Sequence, residues 1–130
     1  MPVPTVLVVD DDDSIREITQ MALEVVSGWD VIAVEGGAEA IVAAKEHHPD
    51  AVLLDLMMPD VDGRATFQAL QADESTRDIP VVLLTAKLQV GGSQVWDDLD
   101  VAGVIAKPFS PMTLGDEVAA MVGWTEPRAG

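Results

Sequence analysis

Four polar sites, far apart in the sequence, carry side chains whose chemistry would be complementary if they met in space. They are the acidic run Asp10–Asp13, Asp55, Thr85 and Lys107. Carboxylate oxygens are preferred ligands of Mg²⁺ in proteins. A hydroxyl and an ammonium are suited to bind the oxygens of a phosphoryl group. The residue types therefore indicate a site for a divalent cation and a phosphoryl group.

Each of these polar sites directly follows a short apolar run. The runs are Val6–Val9, Ala51–Leu54, Val81–Leu84 and Val104–Ala106. Apolar runs of this length, separated by helical patterns, indicate parallel strands that are buried on both faces. Because ligands bind at the carboxyl ends of the strands in an open parallel sheet, we expect all four sites at one edge.

Strands and helices alternate along the chain without a long linker, an internal repeat or a low-complexity segment. The predicted strands are Thr5–Val9, Asp30–Val34, Ala51–Leu54, Val81–Leu84 and Val104–Ala106. With right-handed crossovers, five strand–helix units predict a doubly wound α/β sandwich around a five-stranded parallel sheet. We expect one domain over residues 1–124 and a short tail over residues 125–130.

The helix ends are predicted from capping residues. The first helix is expected to begin near Ser14, which would form a capping box with Glu17. The second is expected over about Ala38–His47, ahead of a proline. The last helix is expected to have Ser110 as its N-cap and Pro111 at its first helical position.

Helical spacing of apolar residues predicts which side of each helix faces the sheet. A further helix, between the fourth and fifth strands, is expected to contain Gly91 and Gly92. The inward-facing positions predicted for the other helices are Ile15, Ile18, Ala22 and Val25; Ile41, Val42 and Ala44; Phe67 and Leu70; and Leu114, Val118, Met121 and Val122.

The bulk composition excludes several classes of protein. The chain has 130 residues, a hydrophobic content of 48% and no cysteine, so disorder, a disulfide framework and a thiolate metal site are not expected. Its formal net charge of −16 argues against a nucleic-acid partner and an anionic membrane. No apolar run approaches the about 18 residues that span a bilayer, and no signal peptide is recognisable. We expect a cytoplasmic protein with protein partners.

Four motifs together resemble the receiver domain of two-component response regulators. They are Leu7–Asp11, Asp55–Gly63, Ile79–Ala86 and Lys107–Phe109, and they occur in the order and at the intervals typical of that family. The resemblance covers nearly the whole chain. It implies a flavodoxin-like (βα)5 fold with strand order 2-1-3-4-5 and a signalling module that is not an enzyme in the usual sense. No output domain is visible in this sequence, which fits a stand-alone relay or adaptor protein as well as a fragment of a longer regulator.

The same resemblance implies roles for individual residues in accepting a phosphoryl group. Asp55 would be the phosphoacceptor, and the Thr85 hydroxyl and the Lys107 ammonium would bind phosphoryl oxygens. The phosphoryl group would come from a histidine kinase or a phosphotransfer protein. A conformational change would then relay the signal to a downstream protein partner.

The resemblance also implies the ligands of a Mg²⁺ cofactor. Asp11 and Asp55 would bind the ion directly, Asp10 would act mainly through water, and the backbone carbonyl of Met57 would supply another ligand. One position departs from the family pattern. An aromatic residue often lies three positions before the lysine and reports phosphorylation by rotating its ring, whereas this chain has Val104 there.

Two other functions fit parts of the same pattern. A phosphohydrolase resembling the haloacid dehalogenases would use Asp11 as nucleophile, with Asp13 two residues further on. The chain lacks room for a substrate-covering cap, and no acidic pair follows a later strand, as such an enzyme would need. The third possibility is an unphosphorylated interaction scaffold that keeps the fold alone, and failure to bind Mg²⁺ would favour it.

Overall fold

A parallel sheet of five strands forms the centre of the molecule. The structure is a computed structural model that describes residues 3–55, 63–85, 101–107 and 109–124. The strand order is β2-β1-β3-β4-β5, and every neighbouring pair is parallel. The doubly wound fold and the strand order are therefore confirmed. The strands are β1 (Thr5–Val9), β2 (Asp30–Val34), β3 (Ala51–Asp55), β4 (Val81–Thr85) and β5 (Gly103–Ala106).

The described helices cover the two faces of this sheet. Their bounds are α1 (Asp13–Met21), α2 (Gly37–His47), α3 (Gly63–Ala72) and α4 (Leu114–Val122), and α1 continues into a π-helical stretch over Ala22–Val26. The predicted helix with Gly91 and Gly92 lies outside the described residues. Within the described parts of the chain, no helix is long and apolar enough to cross a membrane.

Every residue of the three central strands from Val6 onward is buried, which is why these strands are continuous apolar runs. Successive side chains of a strand point to opposite faces of the sheet, so each central strand contributes side chains to both cores. The core beneath α2 and α3 contains Leu7, Val9, Val52, Leu54, Val81 and Leu83 with Ala40, Ala43, Ala44, Phe67 and Leu70. The core beneath α1 and α4 contains Val6, Val8, Leu53, Val82, Leu84 and Ile105 with Ala22, Leu23, Trp29, Leu114, Val118 and Ala119.

The first helix begins earlier than the sequence pattern indicates. Asp12, not Ser14, is the N-cap, and its side chain accepts a hydrogen bond of 3.1 Å from the backbone N–H of Ile15. The predicted capping box from Ser14 to Glu17 is therefore wrong. Four consecutive aspartates each suit an N-cap, and the structure uses the third of them.

The buried face of α1 is also rotated relative to the prediction. Ile18 and Val25 are exposed, whereas Thr19 and Leu23 are fully buried. The predicted pattern missed Thr19 because a hydroxyl counts as polar. Here the hydroxyl donates a hydrogen bond of 2.7 Å to the carbonyl of Ile15, so its burial leaves no donor unsatisfied. With Met21, the two exposed residues form an outward apolar strip, which we call the α1 strip.

Small residues make the contact between α2 and the sheet. Ala40, Ala43 and Ala44 are buried, whereas Val42, predicted to face inward, is exposed. A stripe of alanines brings the helix backbone close to the strands, so the larger side chain lies outside. In α3 the prediction is confirmed, because Phe67 and Leu70 are buried in the same core.

The last helix begins four residues after its predicted cap. Residues 111–113 form a turn, and Thr113 is the N-cap of α4. Ser110 still contributes, because its carbonyl accepts hydrogen bonds from the N–H groups of Thr113 and Leu114. The predicted inward positions Leu114 and Val118 are confirmed as fully buried. Gly123 ends the helix at φ 85°, a left-handed conformation that favours glycine.

An ion pair joins α2 to the end of α3. The ammonium of Lys45 lies 3.0 Å from Asp73 Oδ2. Asp73 Oδ1 accepts hydrogen bonds from the hydroxyl and the backbone N–H of Ser75, at 2.6 and 2.8 Å. These hydrogen bonds from Ser75, together with Lys45, lower the pKa of Asp73 from 3.8 to about 2.

This lowered pKa predicts a pH-dependent contribution to stability. A carboxyl group whose pKa is lower in the folded state stabilises the fold above its unfolded value and loses that contribution as the pH falls. The window for Asp73 runs from 3.8 down to about 2. We expect Asp73→Asn to lower the melting temperature at pH 6, and the difference from wild type to shrink across this window. Calorimetric melting curves at several pH values measure both effects; a constant difference would contradict the assignment.

The C-terminus of α2 predicts opposite effects for two adjacent histidines. His48 adopts a left-handed conformation with φ 46°, whereas His47 is the last residue of the helix. Glycine adopts the left-handed region without the cost of about 1–2 kcal/mol that a side chain brings. We expect His48→Gly to raise the free energy of unfolding. Glycine inside a helix costs about 0.5–1 kcal/mol, so we expect His47→Gly to lower it. Urea denaturation of the two variants gives the signs, and equal signs would refute this explanation.

Candidate phosphoacceptor site

The register of the sheet brings the predicted polar residues to one edge. Val9 lies beside Leu54, so Asp10 and Asp55 are the next residues on neighbouring strands β1 and β3. Thr85 is the last residue of β4 and lies beside Ala106, immediately before Lys107. The backbone N–H of Lys107 donates a hydrogen bond of 2.8 Å to the carbonyl of Thr85. The sheet therefore places residues from four strand ends side by side.

Asp10 is held at this edge by all of its polar groups. It is 0% exposed, and each of its polar groups bonds to a different part of the fold. Its N–H donates to Val34 O at 3.2 Å, and its carbonyl accepts from Arg16 Nη1 at 2.9 Å. Carboxylate atom Oδ1 accepts from the N–H of Asp12 at 2.9 Å, and Oδ2 accepts from Lys107 Nζ at 3.0 Å.

The Lys107 ammonium lies between two buried carboxylates. Its Nζ is 3.0 Å from Asp10 Oδ2 and 3.4 Å from Asp55 Oδ1. The lysine side chain is only 12% exposed, and Asp55 is 4% exposed. An unpaired carboxylate at such burial would be costly in free energy. The Lys107 ammonium therefore stabilises the negative charges of both aspartates.

Three carboxylates of the site are close enough to share one cation. Asp10, Asp11 and Asp55 each offer an oxygen, and the three oxygens lie within 4.8 Å of one another. Hard carboxylate oxygens are the donors that Mg²⁺ selects, and two of the three belong to buried residues with fixed positions. The donor set therefore fits this ion. Met57, whose carbonyl was predicted as a further ligand, lies outside the described residues.

Two other predicted features lie next to this cluster. Thr85 is fully buried at the end of β4, on the same edge as Asp55. Val104, at the position where an aromatic residue was expected from the family pattern, is partly buried and packs against the core beneath α2 and α3. A valine in this place contributes to the core, and it has no ring that could rotate.

Arg16 is a residue of the site that the sequence pattern did not reveal. Besides its bond to the carbonyl of Asp10, its Nη2 lies 2.5 Å from Asp13 Oδ1. The hydrogen bond that Arg16 donates to the Asp13 carboxylate raises the pKa of Arg16 above its usual value, and the charges of Glu35 and Asp10 add to this effect. The only signal in the sequence was the spacing of three residues between Asp13 and Arg16 on a helix.

Comparison with known proteins agrees with this geometry. The family model described as the response regulator receiver domain matches residues 6–119. The chain therefore belongs to the receiver domain family of two-component response regulators, whose members act as signalling modules.

Individual relatives support the same assignment. The probable transcriptional regulator ycf27 of Porphyridium aerugineum is 38% identical over 117 residues, which are 90% of this chain and 47% of that protein. The DNA-binding dual master transcriptional regulator RpaA of Synechocystis is 35% identical and covers 95% of this chain, or 51% of its own length. The chain thus spans about half the length of the curated relatives it matches. The chemotaxis protein CheY4 of Vibrio cholerae has a structure similar to it, with a TM-score of 0.83 and 27% identity over 92% of this chain and 98% of CheY4.

The position of Lys107 predicts how the metal-free domain responds to losing the ammonium. Removing one partner of a buried ion pair typically costs about 3–5 kcal/mol, because the other charge stays buried and unpaired. We expect Lys107→Met to lose stability of this size in EDTA, and millimolar Mg²⁺ to restore part of it by neutralising the same carboxylates. Urea denaturation with and without Mg²⁺ measures both changes.

Lys45→Met is the matched control for this experiment. Lys45 also forms a lysine–aspartate pair, but its side chain is half exposed and lies away from the site. Exposed pairs contribute about 0–1 kcal/mol, so a small loss that Mg²⁺ does not change is expected. Similar losses in the two variants would show that the Lys107 pair is an ordinary surface contact.

Proposed function

We propose that this domain accepts a phosphoryl group on Asp55 and relays the signal to a protein partner through a conformational change. The donor is a histidine kinase or a phosphotransfer protein. One observation carries the proposal above all others: the Lys107 ammonium is held against the Asp10 and Asp55 carboxylates at 3.0 and 3.4 Å. A cation and several carboxylates converging on one nearly buried aspartate suit the transfer of a highly charged group.

In the proposed reaction, an Asp55 carboxylate oxygen attacks the phosphorus of the donor. A bond forms between this oxygen and phosphorus, and the bond from phosphorus to the donor atom breaks. The donor atom, an imidazole nitrogen when the donor is a phosphohistidine, keeps the electron pair. The product is an aspartyl phosphate, and its formation is nucleophilic catalysis by the protein on itself. Water later hydrolyses the acyl phosphate, so the domain turns over only its own phosphoryl group.

Lys107 and Thr85 have complementary roles in this proposal. The ammonium moves from the two carboxylates to an oxygen of the phosphoryl group, because that group as a whole carries more negative charge than either carboxylate. The Thr85 hydroxyl donates a hydrogen bond to a second phosphoryl oxygen. Thr85 ends β4, the strand next to that of Asp55, and Lys107 follows β5 with its Nζ 3.4 Å from Asp55. Both groups therefore reach the phosphoryl group without a large movement of the sheet.

Asp10, Asp11, Asp55 and the carbonyl of Met57 are the proposed ligands of Mg²⁺. Asp11 and Asp55 bind it directly, and Asp10 acts mainly through water. When bound, the ion offsets the repulsion between the acidic cluster and an anionic donor. The support for this set is the approach of three carboxylate oxygens to within 4.8 Å.

A phosphohydrolase is a weaker proposal for the same residues. Its nucleophile would be Asp11, but this side chain is exposed, whereas Asp55 is buried beside the lysine. An interaction scaffold without phosphorylation would have no need to keep two buried aspartates against Lys107, since such groups are costly to bury.

The partners of a longer protein form a separate proposal. The acidic composition argues that this domain itself does not bind nucleic acid. Several relatives are named as transcriptional regulators and are about twice as long. In a regulator of that kind, a DNA partner would belong to segments beyond the receiver domain, so the expected absence of a nucleic-acid partner does not extend to it. The domain bounds of 1–124 with a tail over 125–130, the cytoplasmic location and the absence of a membrane partner remain predictions.

The proposal predicts one labelled residue. Incubation with acetyl phosphate and Mg²⁺ should add one phosphoryl group, detected by intact mass, and peptide mapping should locate it on Asp55. Asp55→Ala should abolish the label. Asp30→Ala is the matched control, because this exposed aspartate begins β2 at the opposite edge of the sheet, and its label should match wild type. A label that persists in Asp55→Ala would refute the assignment, and sustained turnover of a generic phosphate ester would favour the phosphohydrolase.

A further inference from the structure

Arg16 joins helix α1 to the acidic residues of the site. Its side chain is 16% exposed, so most of the side chain lies against protein. Nη1 donates a hydrogen bond of 2.9 Å to the carbonyl oxygen of Asp10, and Nη2 pairs with the carboxylate of Asp13. The planar fork of an arginine can hold two acceptors in a fixed relative position, which a lysine ammonium cannot do.

The bond from Arg16 fixes the peptide plane that leads into Asp11. The carbonyl it holds belongs to the peptide between Asp10 and Asp11. The carboxylate of Asp10 has its own partners in Asp12 and Lys107. For Asp11, whose side chain is exposed, no side-chain hydrogen bond occurs among the described residues. The position of the Asp11 carboxylate therefore depends on its backbone.

We propose that Arg16 is a positioning residue, which holds the peptide between Asp10 and Asp11 so that the Asp11 carboxylate is in place to bind a divalent cation. This role rests on the metal site proposed above. In this role Arg16 touches neither the cation nor the phosphoryl group. It acts through the backbone of the residue that does bind.

Charge and geometry predict opposite effects when Arg16 is replaced. The guanidinium is a cation near a cation site, so its Coulombic effect opposes metal binding. Its hydrogen bonds to the acidic segment favour binding by pre-organising a ligand. Arg16→Lys keeps the charge and removes the fork, so it isolates the geometric effect. Arg16→Gln removes the charge as well, so the two effects compete in it.

Calorimetric titration of the full chain with Mg²⁺ tests the proposal without any phosphodonor. We expect Arg16→Lys to raise the dissociation constant for Mg²⁺ about tenfold, the size that follows from losing one charge-assisted hydrogen bond. Arg77→Lys is the matched control. Arg77 is exposed and lies shortly before β4, so its variant should bind as wild type does.

Salt concentration and thermal stability separate this role from simpler ones. A positioning effect persists at high ionic strength, whereas a Coulombic effect on the bound cation decreases as salt is added, although less for a largely buried charge than for an exposed one. We expect the weakened binding of Arg16→Lys at both low and high salt, measured well below its melting temperature. A lower melting temperature with wild-type affinity would reduce Arg16 to a structural role and overturn the proposal.

Three further outcomes distinguish a failure of the Arg16 role from a failure of the metal site. If Arg16→Lys does not fold, Arg16→Gln decides by sign: weaker Mg²⁺ binding despite the lost positive charge supports positioning, and tighter binding overturns it. If wild type binds no Mg²⁺ at millimolar concentration, the proposed metal site itself fails, and the role of Arg16 fails with it. Wild-type binding with unchanged affinity in the Lys variant removes only the role of Arg16.

Discussion

The buried carboxylate of Asp10, bonded to the ammonium of Lys107, is the interaction on which the rest of the site depends. The two residues are 97 positions apart in the chain, and they meet only if β1 and β5 occupy their places on either side of β3 and β4. A charge this deeply buried is tolerated only with a full set of partners. The carboxylate has its partners in the N–H of Asp12, in the loop after β1, and in Lys107, after β5, while α1 and β2 bond the backbone groups of Asp10. The site and the sheet order are therefore specified together.

This constraint explains why the acids, the hydroxyl and the lysine of the site lie at or just after strand ends. A parallel sheet that is covered on both faces leaves only its edges for polar groups. Ligands bind at the edge where the carboxyl ends of the strands lead into the following loops. The adjacent positions of Asp10 and Asp55 follow from a register in which Val9 lies beside Leu54. A shift of this register by one residue would exchange the two cores and separate the carboxylates.

Sequence patterns predicted the strands well, because runs of buried β-branched and leucine residues leave little ambiguity. They also predicted that the acids, the hydroxyl and the lysine of the site lie at one edge of the sheet, because the carboxyl ends of parallel strands lie at the same edge. Helix faces were harder to predict. Thr19 is buried because a local hydrogen bond satisfies its hydroxyl, and Val42 is exposed because alanines suffice for close packing. Arg16 was missed because its role is a contact to a backbone carbonyl, and such contacts leave almost no trace in residue spacing.

The α1 strip has a consequence for how copies of this domain behave in a concentrated solution. Exposed apolar side chains on a helix promote self-association, and here they stand on a chain with a formal net charge of −16. Identical copies repel one another because they carry the same negative charge, so an electrostatic barrier opposes contact between two strips. A basic or neutral surface does not meet this barrier. The acidic composition thus opposes self-association through the α1 strip, because copies of the domain repel one another electrostatically.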